Sequence, residues 1–116
     1  MAAGKYDIII EQGSDLDLDI DYKDSAGSLL ALGSGYTAAM KIKESVGGTE
    51  IASLTNGSGI TLSSVSPNIN IKIAYGATAG YDFDNAVYDF ELKNTSADTV
   101  SRILEGRVEL SREVTV

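Results

Sequence analysis

Four aspartates at alternate positions, Asp15, Asp17, Asp19 and Asp21, are the densest set of hard oxygen ligands in the chain. Their spacing matches the first carboxylates of a calcium loop, which also requires glycine at its sixth position and glutamate at its twelfth. Here those positions hold Ile20 and Ala26. The intervening residues are Leu16, Leu18, Ile20 and Tyr22, so acid and apolar alternate with a period of two. In a strand, successive side chains point to opposite faces, and this run therefore reads as a strand with one dry and one wet side. Same-face aspartates on a strand lie about 6.5–7 Å apart, too far for neighbours on a flat ladder to converge on one ion. The expected role is a solvated strand face, with Lys41, Lys43 or Lys72 as cross-strand partners.

A second acidic cluster, Asp82, Asp84 and Asn85, follows Tyr81 in a segment with loop character. Three hard ligands without a fixed frame are expected to form a solvated turn. Paired carboxylates can serve glycoside hydrolysis, but the aromatic lining of a sugar cleft has little to draw on: there is no tryptophan, and the six tyrosines are scattered. The chain has no histidine, so a nucleophilic serine or threonine lacks its usual base, and no cysteine, so thiolate chemistry and disulfides are excluded. Gly33-Ser34-Gly35 and Gly57-Ser58-Gly59 are not followed by the lysine and helix of a phosphate loop. The expectation is a non-enzyme with no catalytic residue, no metal and no cofactor.

The charge balance narrows the partners. Formal net charge is −8. The segment 1–35 carries seven acids against two lysines, whereas 99–116 balances three arginines with three glutamates. An acidic chain lacks the basic footprint that phosphate backbones require, so neither direct nucleic-acid binding nor attraction to anionic membranes is expected. No run approaches the roughly 20 apolar residues of a membrane span. The apolar stretch after Met1–Asp7 is cut short by Glu11 and is too brief for a signal peptide.

The elements that must position these residues are strands. The 116 residues suit one domain, 1–116, with a single core. Glycine-rich turns at short intervals and the absence of a long helical pattern predict seven or eight short antiparallel strands in an all-β fold. A two-sheet sandwich is the expected architecture, with a closed barrel second. Strands are expected at Tyr6–Ile10, Asp15–Tyr22, Tyr36–Lys43, Glu50–Leu54, Ile60–Leu62, Ile69–Ile73, Ala86–Lys93 and Thr99–Leu110. Asn56-Gly57 between apolar runs predicts a hairpin, and Ala77–Tyr81 is the one stretch suited to a helical turn. The adjacent apolars Ile103 and Leu104 break the alternation of the last strand and predict a bulge near Leu104–Gly106. Leu18, Ile71 and Phe90 are expected in the core shared by the two sheets.

Tyr22, Tyr36 and Tyr88 fall on inward phases. Tyr6, Tyr75 and Tyr81 lie near loop ends, where rigid amphipathic rings serve either as core edges or as interface anchors. After Leu110 the chain reads Ser111-Arg112-Glu113-Val114-Thr115-Val116, still alternating and without a turn signal. It can complete the domain's own last strand or add to a neighbour's sheet edge, with Val114 and Val116 setting register. The candidate interface residues are Tyr6, Tyr81, Val114 and Val116.

Read in order, several short motifs resemble a module of small virion proteins of tailed bacteriophages. They are Tyr6-Asp7-Ile8-Ile9-Ile10-Glu11-Gln12-Gly13-Ser14, then Tyr22-Lys23-Asp24-Ser25-Ala26-Gly27, then Gly35-Tyr36-Thr37-Ala38-Ala39-Met40-Lys41-Ile42. Tyr88-Asp89-Phe90-Glu91-Leu92 follows, then Arg102 through Leu110 and Glu113-Val114-Thr115. The resemblance spans nearly the whole chain and carries no site chemistry. It implies a single antiparallel immunoglobulin-like β-sandwich, related to N-terminal anchor modules of baseplate and tail-fibre proteins. Those modules precede long receptor-binding parts, and no fibre, coiled-coil or lectin segment follows here up to Val116. The resemblance thus implies an accessory subunit made in the bacterial host cytoplasm and resident in the virion. It would be held by protein–protein contacts to capsid or tail subunits or to copies of itself. A capsid-surface decoration protein (a knob or cement) is the first expectation, a neck, tail or baseplate adaptor attaching fibres the second. A carbohydrate-binding β-sandwich is a more distant one.

Overall fold

In the computed structural model, which describes residues 4–114, nine segments pair as strands, the longer ones where alternating apolar residues find a partner for their dry face. These are β1 (Gly4–Lys5), β2 (Ile8–Glu11), β3 (Leu16–Ile20), β4 (Tyr36–Lys43), β5 (Glu50–Asn56), β6 (Gly59–Leu62), β7 (Ile69–Ile73), β8 (Asn85–Asn94) and β9 (Thr99–Ser111). One helical turn, α1 (Tyr75–Thr78), lies between β7 and β8. The protein is all-β. Its strands form one connected path, β1-β9-β8-β4-β5-β6-β7-β3, with β2 also on the outer side of β9. The sheet curls on itself as a half-barrel.

The pairing is mixed, which corrects the expectation of antiparallel strands throughout. β1 and β2 run parallel to β9, in register Gly4↔Leu104 and Ile8↔Val108. Strands joined by a tight hairpin must be antiparallel, but these lie at opposite ends of the sequence and are free of that constraint. The predicted hairpin at Asn56-Gly57 is also corrected. Gly57 and Gly59 have φ of 86° and 96°, and the Gly57 N–H donates to the Ile60 carbonyl. The chain makes one tight loop and resumes in the same direction, so β6 is parallel to β5 at Thr55↔Gly59 and Asn56↔Ile60.

Two bulges bend the sheet. In the β8–β9 ladder Phe90 pairs with Leu104 and Glu91 with Arg102, so Ile103 is the extra residue. In the β4–β5 ladder Ile42 pairs with Ala52 and Lys43 with Glu50, which leaves Ile51 over. Each bulge falls where two apolar residues are adjacent, and it lets both turn toward the core. The predicted irregularity in β9 thus exists, but upstream of Gly106. There a Cβ would clash with the Tyr6 carbonyl, so glycine is required by the close passage of the N-terminal segment.

The concave side of the curl holds one hydrophobic cluster. Ile10, Met40, Ile42, Phe90 and Val108 reach it from one half of the sheet, and Ile60, Ile69 and Ile71 from the other. Phe90 and Ile71 are fully buried, as expected from their phase, whereas Leu18 is half-buried on the last strand of the path. Leu32, in the connection before β4, is buried as well.

Only four residues, 12–15, join β2 at one end of the sheet to β3 at the other. The five backbone steps from Glu11 to Leu16 reach at most about 18 Å, so the two edges are drawn together at this end. α1 sits against the crossing. Thr78, with no exposed surface, accepts from the Gly13 N–H at 3.1 Å, and its hydroxyl lies 2.8 Å from the Ser14 carbonyl. The Tyr75 N–H donates to Asp15 at 2.7 Å. A second buried polar residue, Asn68, pins the connection between β3 and β4. It accepts from the Tyr22 N–H and donates to the carbonyls of Tyr22 and Leu30.

Phe90→Ala is expected to cost about 3–5 kcal/mol, the loss typical of a large aromatic removed from a packed core, read as a lowered denaturant midpoint. Thr78→Val keeps the side-chain shape but strands the Gly13 donor and the Ser14 acceptor. Its expected cost is about 1–3 kcal/mol, with hydrogen-exchange protection lost first around residues 12–15.

Candidate functional site

Of the alternating aspartates, Asp17 and Asp19 stand on the convex face of β3 and Asp15 and Asp21 flank it, each engaged by a neighbour. Asn70 on β7 donates to Asp17 and to Asp19, both at 2.7 Å, and the Lys72 ammonium lies 3.7 Å from Asp17. The β3–β7 register places Asp17 opposite Lys72 and Asp19 opposite Asn70. Asp21 accepts from the Ser66 hydroxyl at 2.7 Å. Of the three lysines expected as partners, Lys72 is in place, whereas Lys41 pairs with Glu50 at 3.2 Å. Among the described residues no group of three acidic, histidine or cysteine side chains is arranged to hold a metal ion.

The second acidic cluster is tied to a cation that the sequence places 28 residues or more away. Arg112 lies 3.0 Å from Asp82 and 3.2 Å from Asp84, and it also donates to the Phe83 carbonyl. The hydrogen bond to Asp82, and then that to Asp84, raises the guanidinium pKa above its ordinary value. The next residue, Glu113, donates its N–H to the Gln12 side chain at 2.9 Å, and the amide nitrogen of Gln12 donates to the Tyr81 carbonyl at 2.9 Å. Gln12 thus brings together the crossing between β2 and β3, the Tyr81 loop and the segment after β9.

These contacts place two of the four candidate interface residues, Tyr81 and Val114. Tyr81 is half-buried against Phe83, with ring centroids 5.9 Å apart, and burial raises its hydroxyl pKa. Val114, just past the Gln12 contact, is 94% exposed. Val116 lies outside the described residues. Tyr6 is 47% exposed and belongs to the other end of β2. Tyr81 and Val114 therefore share one end of the molecule, and Tyr6 stands apart from them. Other large apolar side chains are exposed too: Ile9 at 59%, Tyr75 at 65% and Val100 at 57%. The triplet Ile8-Ile9-Ile10 contained the signal for Ile9, since strand alternation forces the middle residue outward when its neighbours face the core.

Tyr6 marks a kink. Between β1 and β2 the chain leaves the regular ladder, and Tyr88 reaches up from β8 to donate its hydroxyl to the Tyr6 carbonyl. The Asp7 carboxylate accepts from the Arg107 N–H at 3.0 Å, so a side chain replaces the missing ladder bond. Burial, with Asp7 and then Tyr6 adding to it, pushes the Tyr88 pKa up to about 12. Beside the kink lies an open groove of about 490 Å³ on the convex side of β4, β8 and β9. Lys5, Lys41, Lys43 and Arg102 line it together with Asp89, Glu91 and Glu105. The hydrogen bond from Lys5 holds the Glu105 carboxyl below the usual carboxylate range, and Arg102 adds to this. The groove is a mosaic of ion pairs over Val46 and Val87, and its chemistry suits polar protein contacts.

Tyr88→Phe tests the kink. A tyrosine ionises near 10 in an unfolded chain and near 12 here, so the folded state keeps the proton longer. Its contribution is complete below pH 10 and is lost as pH rises from 10 to 12, by an amount on the order of 2 kcal/mol. Denaturant midpoints between pH 9 and 12 should fall less steeply for Y88F than for the unmodified chain, with a residual decline from Tyr81. At pH 7 the variant should be weaker by about 1 kcal/mol through the lost hydrogen bond. Parallel pH profiles would assign the decline to other groups.

No known family model matches this sequence, and no curated protein matches it at a significant level.

Proposed function

We propose that this protein is a non-enzymatic accessory subunit of a tailed-bacteriophage virion, held by protein–protein contacts and placed on the capsid surface as a decoration protein. The observation that carries the reading is the ordered string of motifs from Tyr6 to Thr115 that resembles small virion modules. The strand order supports the fold this implies, an immunoglobulin-like sandwich. In that reading β2, β9, β8 and β4 form one layer and β6, β7 and β3 the other, with β5 leading across and the link 12–15 crossing back. Exposed Ile9, Val100 and Tyr75 supply apolar anchors of the kind that recur in protein interfaces. A neck, tail or baseplate adaptor is the second reading, favoured by the position of Tyr81 and Val114 at one end of an elongated molecule, 44 × 28 × 22 Å.

Particles purified from a bacterial culture carrying the gene provide the test. Quantitative mass spectrometry is expected to find the chain in many copies per particle, and antibody labelling to place it on the capsid. Label confined to the neck or baseplate would select the second reading. Recovery of the chain only in the soluble fraction, with none in particles, would overturn both.

A further inference from the structure

β3 ends the sheet path, paired with β7 along Leu16–Ile20 and, among the described residues, with no strand on its other side. A strand edge of this kind carries unpaired N–H and C=O groups and is a template for another extended chain. The opposite edge is interrupted, split into β1 and β2 by the kink at Tyr6 and Asp7. β3 is continuous over five residues, without glycine or proline.

Its two faces prescribe different partners. On the concave side Leu16, Leu18 and Ile20 remain half-buried, although Ile73, Ile71 and Ile69 opposite them on β7 are buried. β7 covers one flank of these three side chains, and no strand of the described residues lies beside the flank toward the open edge. On the convex side the donors from Asn70 and Lys72 reach Asp17 and Asp19 from β7, also from one flank. A carboxylate has about four lone-pair sites, so both aspartates keep acceptor capacity toward the open edge.

We propose that β3 is a docking edge for an extended segment of another protein in which apolar and Lys or Arg residues alternate. The apolar residues of that segment cover Leu16, Leu18 and Ile20, its cations meet Asp17 and Asp19, and main-chain bonds along the edge supply the rest. Charge disfavours a second copy of this edge as the occupant. Antiparallel pairing of β3 with itself about Leu18 sets Asp17 opposite Asp19 twice, and like charges directly opposite are destabilising. A slip by one residue sends every side chain to the wrong face. The edge is thereby guarded against self-association and selective for a basic partner strand. This inference rests on the edge alone and holds for a partner inside a particle or outside one.

The test titrates the full chain, labelled for amide NMR, with a capped nine-residue peptide of alternating valine and lysine. Saturable shifts are expected at Leu16–Ile20. Affinity should be at least about tenfold above that of a peptide of the same composition with its lysines gathered at one end, since only the alternating strand fits both faces. An alternating valine–glutamate peptide should bind at least about tenfold more weakly than the lysine peptide, and Asp17→Lys with Asp19→Lys should reverse that order. Should that double variant fail to fold, Asp17→Asn with Asp19→Asn should abolish the preference instead. Equal binding of the alternating and blocked lysine peptides, shifts centred on β1 and β2 or on the groove around Lys41, or no binding at all would each overturn the proposal.

Discussion

The curl of the sheet depends on the crossing from β2 to β3, where four residues carry the chain from one end of the strand path to the other. A connection that short leaves its own backbone groups without ladder partners, and burial without partners is costly. Thr78 supplies the missing bonds to Gly13 and Ser14, which explains why a single helical turn is kept at this end of an otherwise all-β molecule. Once the edges are drawn together here, the concave faces of both halves must close on one another. The isoleucines of β6 and β7 then share a single core with Met40, Ile42 and Phe90.

The N-terminal segment obeys a second constraint. To lie along β9 it must pass over Gly106 at a distance that no side chain would permit, and it breaks its own ladder to do so. Tyr88 and Asp7 satisfy the groups released by that break. The resulting kink shortens the regular edge on that side, a common means of blunting an exposed strand. β3 is blunted differently, by alternate aspartates. Both edges thus resist self-pairing, one through its backbone and the other through charge.

Charge is also distributed by the fold. The convex face of β3 carries the aspartates with Lys72 as the ion-pair partner among the described residues, whereas the convex face of β4, β8 and β9 interleaves cations and carboxylates. The first is predominantly negative, and its field extends to about the screening length of 8–10 Å. The second is locally balanced, and its ion pairs are exposed, so they contribute more to solubility and contact specificity than to stability.

Alternation by itself determined the strand class, the phase of Leu16 through Ile20, the burial of Ile71 and Phe90, and the outward position of the four aspartates. A period of two has only one reading when one side must be dry. The absence of histidine and cysteine likewise restricted the chemistry before any geometry was known. Tertiary structure alone decided which strands adjoin and in which direction. Asn56-Gly57 has the local chemistry of a hairpin, yet Gly59 continues the chain in parallel because its target lies beside β7. The partner of Asp82 and Asp84 was equally hidden, since Arg112 reaches them only after the whole sheet has formed. Buried Asn68 and Thr78 show no sequence signal at all: a polar residue is placed in a core by the backbone groups that need it, and those come from remote segments. Local pattern fixes which side of a strand is wet, and only the packed chain fixes what each side touches.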